Sequence, residues 1–398
     1  MKNKSSFYHP ELDVLRLVAF LQVFYFHVGK RYIQGNGMLL HHGLTSRYIP
    51  AFIQAGSTGV DLFFCLSSFL ITALLLRECD LNGTLDIKQF WMRRILRIWP
   101  LYFSFLAVAV FILPHFDGLG ESLSHGYVSA FALFCGNWAC VFHGVPLSAA
   151  TPLWSVPVEE QFYVLWPLLL FTFKPKRLVF LAIGGLVIAS LTRLVLVLTG
   201  ADSHYEVVWM NTLTRLDPIA IGALCAVAAR KWPWRPTLRT RAMLGVFGLL
   251  VPALMICVMG FESIGRWILV VYPLVGVCCV CLLGAIYRDE PVRMPSFAVY
   301  LGRISYGLYV FHVLAIAIAN KVPMISGQQA AIKIANAAIF VTATSVLTLA
   351  MAALSYRYLE QWFLKLKSKF SIIQSSPNYV ARKDAESSMP AGSSSAAS

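Results

Sequence analysis

An arginine and a histidine lie inside one apolar stretch near the start of the sequence, residues 15–29, which read LRLVAFLQVFYFHVG. Arg16 and His27 are eleven positions apart, which on an α-helix places both side chains on one face, about 16 Å apart along the axis. Because imidazole titrates near neutrality, His27 is a candidate general base; a structural hydrogen bond to a neighbouring helix is the alternative. Arg16 taken alone is better explained as an anchor at the membrane interface; a functional role is favoured only when it is considered together with His27.

Three carboxylates are candidates to orient the imidazole of His27. Asp61 opens one apolar stretch, in GVDLFF, and Glu159 and Glu160 open another, in VPVEEQFYVLWP. A carboxylate that bonds one ring nitrogen fixes the tautomer and raises the basicity of the other nitrogen. The alternative is that these acids only stabilise helix N-termini through the helix dipole.

A cluster of arginines opens a further apolar stretch, in WMRRILRIWPLYF. Arg93 and Arg97 are four positions apart and Arg94 and Arg97 three, so helical geometry brings their guanidinium groups together. Such a cluster either anchors the helix on the cytoplasmic side or binds phosphate, whose oxygens match the guanidinium fork.

Polar side chains also recur inside two later apolar stretches. Asp217 lies in TRLDPIAIGALCA, and GRISYGLYVFHV carries Ser305, Tyr306 and His312. At this depth a polar group either lines a cavity or bonds a neighbouring helix, and both interpretations remain for His312. These four residues and Glu160 are therefore candidates for lining a pore.

The composition indicates an integral membrane protein. Of 398 residues, 58% are hydrophobic and 13% are charged, whereas soluble domains have about 25% charged residues. Apolar runs of about 20 residues, enough to cross about 30 Å of hydrocarbon, recur along the chain. The formal net charge of +14 is explained by basic cytoplasmic loops, so the expected partner is the lipid bilayer and not nucleic acid. No Cys or His spacing matches a zinc site, so no metal is expected.

We expect an all-α fold, a polytopic transmembrane helix bundle of about ten spans with both termini cytoplasmic. The predicted spans are residues 13–33, 57–76, 96–114, 157–173, 178–199, 214–229, 242–261, 267–287, 298–319 and 334–356. With this orientation the loops rich in Lys and Arg fall on the cytoplasmic side.

Two segments fall outside these spans. Residues 126–143 are expected to be re-entrant or interfacial, because an extra span would place the basic loop 174–177 outside. Cys135 and Cys140 lie in that segment; a disulfide between them is possible but not favoured, because helical i,i+5 positions diverge. Residues 1–369 form the predicted transmembrane domain, and residues 370–398 a disordered cytoplasmic tail.

Taken together, these residues predict an arginine cluster at the inner face of the membrane, a conduit lined by one face of the first helix, and a histidine with carboxylates toward the outside. It suits a phosphorylated donor that enters from the cytoplasm and an acceptor outside. Coenzyme A carries its phosphates at one end and a thioester at the end of a long arm. The separation of about 16 Å between Arg16 and His27 permits such a donor without selecting it.

Over about residues 8–365 the sequence resembles acyltransferase family 3, membrane O-acyltransferases that modify surface polysaccharides and other acceptors. Arg16 and His27 match the family's Arg-x10-His pattern, and GVDLFFCLSSFLI matches GVDLFF-x-LSGFLI with Ser68 at the usual glycine. RRILRIWPLYF matches the arginine motif, and LWSVPVEEQFYVLWP resembles WSLSVEEQFYLLWP, with Pro157 unusual. GRISYGLYVFHV and YRYLEQWF resemble the closing motifs. Ser68 is expected to loosen packing slightly.

The resemblance implies transfer of an acyl group, most often acetyl, from acyl-CoA to a hydroxyl of a glycan such as a cell-surface or exported polysaccharide. Acyl-CoA is then a co-substrate, no bound cofactor is expected, and the location is the bacterial cytoplasmic (inner) membrane. The catalytic histidine carries over to His27 with Arg16 beside it, the donor-side arginine pair to Arg94 and Arg97, and the more regular acid to Glu159.

The favoured mechanism has His27 as general base, its ring oriented by Glu159 or Asp61, and an acyl-histidine intermediate is the alternative. A proton-coupled transporter also needs intramembrane ionisable groups, and the acceptor is alternatively a small molecule or a lipid-linked sugar. The acceptor and the oligomeric state are not fixed by the sequence.

Overall fold

The described part of the protein is entirely helical in its regular structure. The computed structural model describes residues 7–35, 45–119, 121–259, 265–323, 325–327 and 329–370. Its α-helices are α1 (Pro10–Gly35), α2 (Thr45–Ala55), α3 (Gly59–Asn82), α4 (Ile87–Phe111), α5 (His125–Ala132), α6 (Gly136–His143), α7 (Ser155–Phe173), α8 (Leu178–Thr199), α9 (Tyr205–Trp209), α10 (Leu216–Lys231), α11 (Leu238–Met259), α12 (Ile268–Ile286), α13 (Ser296–Arg303), α14 (Ser305–Ala319), α15 (Ala330–Ser355) and α16 (Gln361–Lys367). The all-α prediction is confirmed for these residues; the tail 371–398 lies outside them.

Seven helical segments in the described ranges are long and apolar enough to cross a membrane. An eighth is obtained if α13 and α14, which meet at a bend of 70°, count as one broken span. The two remaining predicted spans correspond to α7, whose first turns carry two glutamates, and α10, which has only 16 residues. Ten spans and cytoplasmic termini therefore stay predictions.

The segment predicted to be re-entrant or interfacial forms two short helices, α5 and α6, of eight residues each. They are separated by a break at Phe134, which has a left-handed φ of 54°. A helix of eight residues is about 12 Å long, so neither spans the bilayer by itself. Cys135 and Cys140 form no disulfide with each other; both are free thiols, the first exposed and the second buried.

Small residues let the central helices approach closely. A Cβ atom on Gly302 of α13 would lie 1.8 Å from the carbonyl oxygen of Asp13, and one on Gly222 of α10 would lie 2.2 Å from that of Cys65. Such contacts are typical of helix packing in membranes. Ser68 is fully buried on α3 and donates a hydrogen bond of 2.5 Å to the carbonyl oxygen of Ile219, so its hydroxyl is accommodated between α3 and α10.

Two buried ion pairs connect α3, α8 and α10. Arg193 of α8 donates to both carboxylate oxygens of Asp217, and both side chains are almost completely buried. An Nη2 atom of Arg215 lies 3.0 Å from Oδ1 of Asp61, again with both side chains buried. Asp217, a pore candidate in the sequence, thus serves as the counter-ion of Arg193. Each charge is compensated, which a low-dielectric interior requires.

Replacing one member of the first pair is expected to destabilise the protein strongly. Asp217→Asn leaves the buried guanidinium of Arg193 uncompensated, and we expect the free energy of unfolding to fall by about 3–5 kcal/mol. Thermal unfolding in detergent measures this change. Glu290→Gln is the matched control, because Arg235 and Glu290 form an exposed pair whose loss changes little. Equal melting temperatures for the two variants would contradict the structural role of Asp217.

Candidate active site

A cavity of about 90 Å³ lies between α1, α3, α4, α7 and α14. It combines a cluster of cationic side chains with hydroxyl groups and one carboxylate. Its polar lining residues are Arg16, Ser67, Arg94, Arg97, Ser155, Glu159, Tyr163, Ser305, Tyr306 and Tyr309. We call it the arginine cavity. Five separate stretches of sequence contribute to it, and helix packing brings them together.

Three guanidinium groups face the arginine cavity. Arg16 is held by a 2.8 Å bond from Nη1 to Oδ1 of Asp13, whose other oxygen accepts a 3.0 Å bond from the hydroxyl of Tyr8. Burial and the charge of Asp13 raise the pKa of Tyr8 to about 12, so this hydroxyl stays protonated and continues to donate. Arg94 lies with its guanidinium carbon 5.6 Å from the ring centroid of Tyr163.

The cavity is therefore a positive site with unused donors. Among the described residues the buried Nε of Arg94 has no hydrogen-bond partner. Of the lining side chains, Arg16, Arg94 and Arg97 are cationic, and Glu159 is the single acid. Such a surplus of guanidinium groups suits an anion with several oxygens, such as a phosphate or diphosphate.

Arg93, predicted with Arg94 and Arg97 as donor-binding, points elsewhere. Its Nη2 bonds Oε2 of Glu78 at 2.8 Å and its Nη1 bonds the carbonyl oxygen of Phe370 at 2.9 Å. Arg93 does not line the arginine cavity. Helical spacing placed the three arginines near one another, but the acid on α3 takes Arg93 into an ion pair.

Glu159 is fixed by a tyrosine that the sequence reading missed. The hydroxyl of Tyr163 donates to Oε2 of Glu159 at 2.7 Å and also contacts the hydroxyl of Ser67 on α3. Tyr163 lies four positions after Glu159 on α7, so i,i+4 spacing was the available signal. Glu160 turns to α4, where Nε1 of Trp99 donates to its Oε2 at 3.2 Å. The adjacent acids thus face different partners, as their helical spacing predicted.

The ring of His27 packs against a second imidazole. The ring centroids of His27 and His312 are 4.9 Å apart. Nδ1 of His312 lies 2.5 Å from the carbonyl oxygen of Tyr309, a contact that assigns the proton to Nδ1 and leaves Nε2 as an acceptor. That Nε2 is buried and has no partner among the described residues.

The expectation that Glu159 or Asp61 bonds His27 is not met. In the described ranges Glu159 accepts from Tyr163, and Asp61 pairs with Arg215, the residue before α10. The sequence could not reveal this, because it did not show which helix faces α1 at the depth of His27. That helix is α14, where His312 also packs against Phe20 of α1.

Tyr309 connects the histidine pair to the arginine cavity. Its ring centroid is 5.5 Å from that of His312, and its hydroxyl lies 2.8 Å from that of Ser155 and 3.1 Å from the carbonyl oxygen of Pro152. Tyr306 also lines the cavity and donates to the carbonyl oxygen of Ile98. His312 is therefore one ring removed from the arginine cavity through Tyr309, His27 packs on His312, and neither imidazole is itself a lining residue.

This arrangement can hold an anionic molecule and present a carbonyl group to an imidazole. The arginines supply positive charge and the two imidazoles supply proton acceptors, while the hydroxyls of Ser67, Tyr163 and Tyr309 are bonded to other groups of the protein. No group of three or more metal-ligating side chains occurs in the described ranges.

Three relatives share similarity with nearly the whole chain. It is 28% identical over 383 residues to the peptidoglycan O-acetyltransferase OatA of Listeria monocytogenes, covering 89% of this chain and 55% of that protein. It is 27% identical over 392 residues to the putative peptidoglycan O-acetyltransferase YrhL of Bacillus subtilis, covering 90% of this chain and 55% of that protein. The third, the putative O-acetyltransferase SAS0844 of Staphylococcus aureus, is 26% identical over 386 residues, which cover 92% of this chain and 58% of the relative.

The chain thus spans a little over half the length of the curated relatives it matches. No solved structure matches it significantly. The acyltransferase domain family matches residues 9–357, a range that includes the whole arginine cavity and both imidazoles. The chain belongs to this acyltransferase family.

Proposed function

We propose that this protein transfers an acetyl group from acetyl-CoA to a hydroxyl of a glycan, such as a cell-surface or exported polysaccharide. The observation that carries the proposal is the arginine cavity beside the pair His27–His312, within a chain of the acyltransferase family. The names of two relatives, which describe peptidoglycan O-acetyltransferases, support a glycan acceptor. A multi-pass position in the bacterial cytoplasmic membrane is part of the proposal, supported by the apolar helices.

Binding of the donor is assigned to Arg16, Arg94 and Arg97. Their guanidinium groups would bond the phosphates of acetyl-CoA, because charge-assisted bonds to phosphate are the strongest that these side chains make. Glu159 accepts from Tyr163 and supplies the single negative charge among the lining side chains. It would keep the cationic cluster ordered while the donor is absent.

The reaction is assigned to His27. Its imidazole takes the proton of the acceptor hydroxyl while that oxygen attacks the thioester carbonyl carbon, and the resulting ester retains the acyl group. The bond from carbon to sulfur breaks, and the departing sulfur of coenzyme A takes the proton back from the imidazolium. His312 is a positioning residue, because it packs against the ring of His27 and is itself fixed by the carbonyl of Tyr309.

Membership of the acyltransferase family favours this enzyme over a proton-coupled transporter. An acceptor that is a small molecule or a lipid-linked sugar remains the alternative within the same chemistry. Supplying each acceptor class to membranes with labelled acetyl-CoA identifies the one that is modified.

Loss of the base should abolish transfer. His27→Ala is expected to lower transfer of labelled acetyl from acetyl-CoA to glycan at least about 100-fold, the usual contribution of a general base. The matched control is His143→Ala, since His143 is exposed at the end of α6, away from the cavity. Undiminished transfer by His27→Ala in purified protein would sink the assignment.

Loss of one arginine of the cavity should weaken binding of the donor and leave binding of the acceptor unchanged. Arg97→Gln is expected to raise the KM for acetyl-CoA about tenfold, because one charge-assisted bond is worth about 1.5–3 kcal/mol. The KM for the acceptor should not change. Arg239→Gln, which removes an exposed guanidinium from α11, is the control. A rise in the acceptor KM alone would show that the arginines serve the other substrate.

Direct transfer and an acyl-histidine intermediate predict different results when acetyl-CoA is supplied without an acceptor. With direct transfer, incubation with labelled acetyl-CoA and no acceptor leaves the protein unlabelled after denaturation. Acid-quenched protein analysed by mass spectrometry provides the measurement. Label on wild-type protein that is absent from His27→Ala would replace direct transfer by an acyl-histidine intermediate.

A further inference from the structure

A second and larger cavity, of about 210 Å³, borders a different face of α3. It lies where α3, α10 and α12 begin, between these helices, α9 and the end of α11. Four aromatic side chains line it: Tyr205, Trp209, Trp267 and Tyr272. We call it the aromatic cavity. None of its lining residues belongs to the arginine cavity, so the chemistry assigned to His27 does not use it.

The polar part of the aromatic cavity is the ion pair of Asp61 and Arg215. Arg215 is 1% exposed, and its buried Nε has no hydrogen-bond partner among the described residues. Its Nη2 lies 3.0 Å from Oδ1 of Asp61, in an ion pair. The ring of Trp209 covers the guanidinium at 4.1 Å from centroid to carbon. Buried donors without acceptors are costly, and a bound ligand with oxygen atoms would satisfy them.

The shape and lining fit one kind of ligand. A sugar ring has apolar C–H faces that pack on aromatic rings and hydroxyls that bond carboxylate and guanidinium groups. The volume is below the range of about 300–1,000 Å³ of pockets for drug-sized molecules, so the cavity suits a unit of the size of one sugar ring. A lipid chain would leave the donors of Arg215 unpaired. Gln54, Ser57 and Thr58 add polar groups at the cavity wall.

We propose that the aromatic cavity binds one sugar ring of the acceptor glycan, adjacent along the glycan to the ring that is acylated. This inference rests on the proposed function and assigns the acceptor its subsite.

The short segment of residues 56–57 contacts both α1 and the aromatic cavity. Gly56 packs so closely on α1 that a Cβ there would be 2.4 Å from the carbonyl oxygen of Gln22 and 3.1 Å from Cβ of Phe26. Ser57, the next residue, lines the cavity, and His27 follows Phe26. The aromatic cavity and the part of α1 that carries His27 therefore lie at the same depth in the helix bundle.

The test uses two exposed aromatics of this cavity, whose removal leaves the buried core intact. Trp267 is 42% exposed and Tyr205 37%. Trp267→Ala and Tyr205→Ala are each expected to raise the KM for soluble peptidoglycan glycan strands about five- to tenfold, the loss of one aromatic contact. The KM for acetyl-CoA and the melting temperature should stay unchanged. Trp232→Ala is the control, because Trp232 is exposed in the loop after α10, at the other end of that helix.

A second measurement separates this inference from the proposed function. Glycan strands are titrated into His27→Ala protein while its tryptophan fluorescence is followed; binding should persist there and weaken when Trp267→Ala is added. If the wild type acetylates glycan but both aromatic variants keep the wild-type acceptor KM, the subsite is overturned and the function stands. If the wild type acetylates no glycan and His27→Ala changes no activity, the proposed function fails. Glycan binding that Trp267→Ala weakens would still support the sugar site in that case.

Discussion

The cost of a charge in an apolar interior governs the whole arrangement. A guanidinium group inside the bundle must meet a carboxylate or face a cavity that a ligand or water can fill. Arg193 pairs with Asp217, whereas Arg94 and Arg97 face a cavity whose single acid is Glu159.

Intrahelical relations were predictable from the sequence, because the helix period fixes them. The common face of Arg16 and His27 was predicted from spacing alone. Relations between helices were not predictable in this way. The contact of His27 with His312 depends on α14 being the neighbour of α1 at that depth, and only packing decides that.

Because contacts between helices were not predictable, the sequence also did not reveal the partners of the acidic residues. Asp61 was a plausible partner for His27 by depth, but rotation of α3 turns it toward Arg215. The family motifs pointed to the helices that line the arginine cavity. The i,i+4 spacing of Glu159 and Tyr163 allowed a contact between them, but it did not predict the hydrogen bond that the structure shows. Hydropathy separated long helices well and was least informative where polar function shortens or breaks the apolar run, at α7, α10 and the bend between α13 and α14.

Helix α3 is a partition between two compartments. Ser57, Thr58 and Asp61 border the aromatic cavity, while Val60, Phe64 and Ser67 border the arginine cavity. The wall is a single helix, about 10 Å thick with its side chains. A rotation of α3 that enlarges one compartment reshapes the other. If binding in one cavity shifts α3, the resulting effect of the first ligand on the affinity for the second equals that of the second on the first.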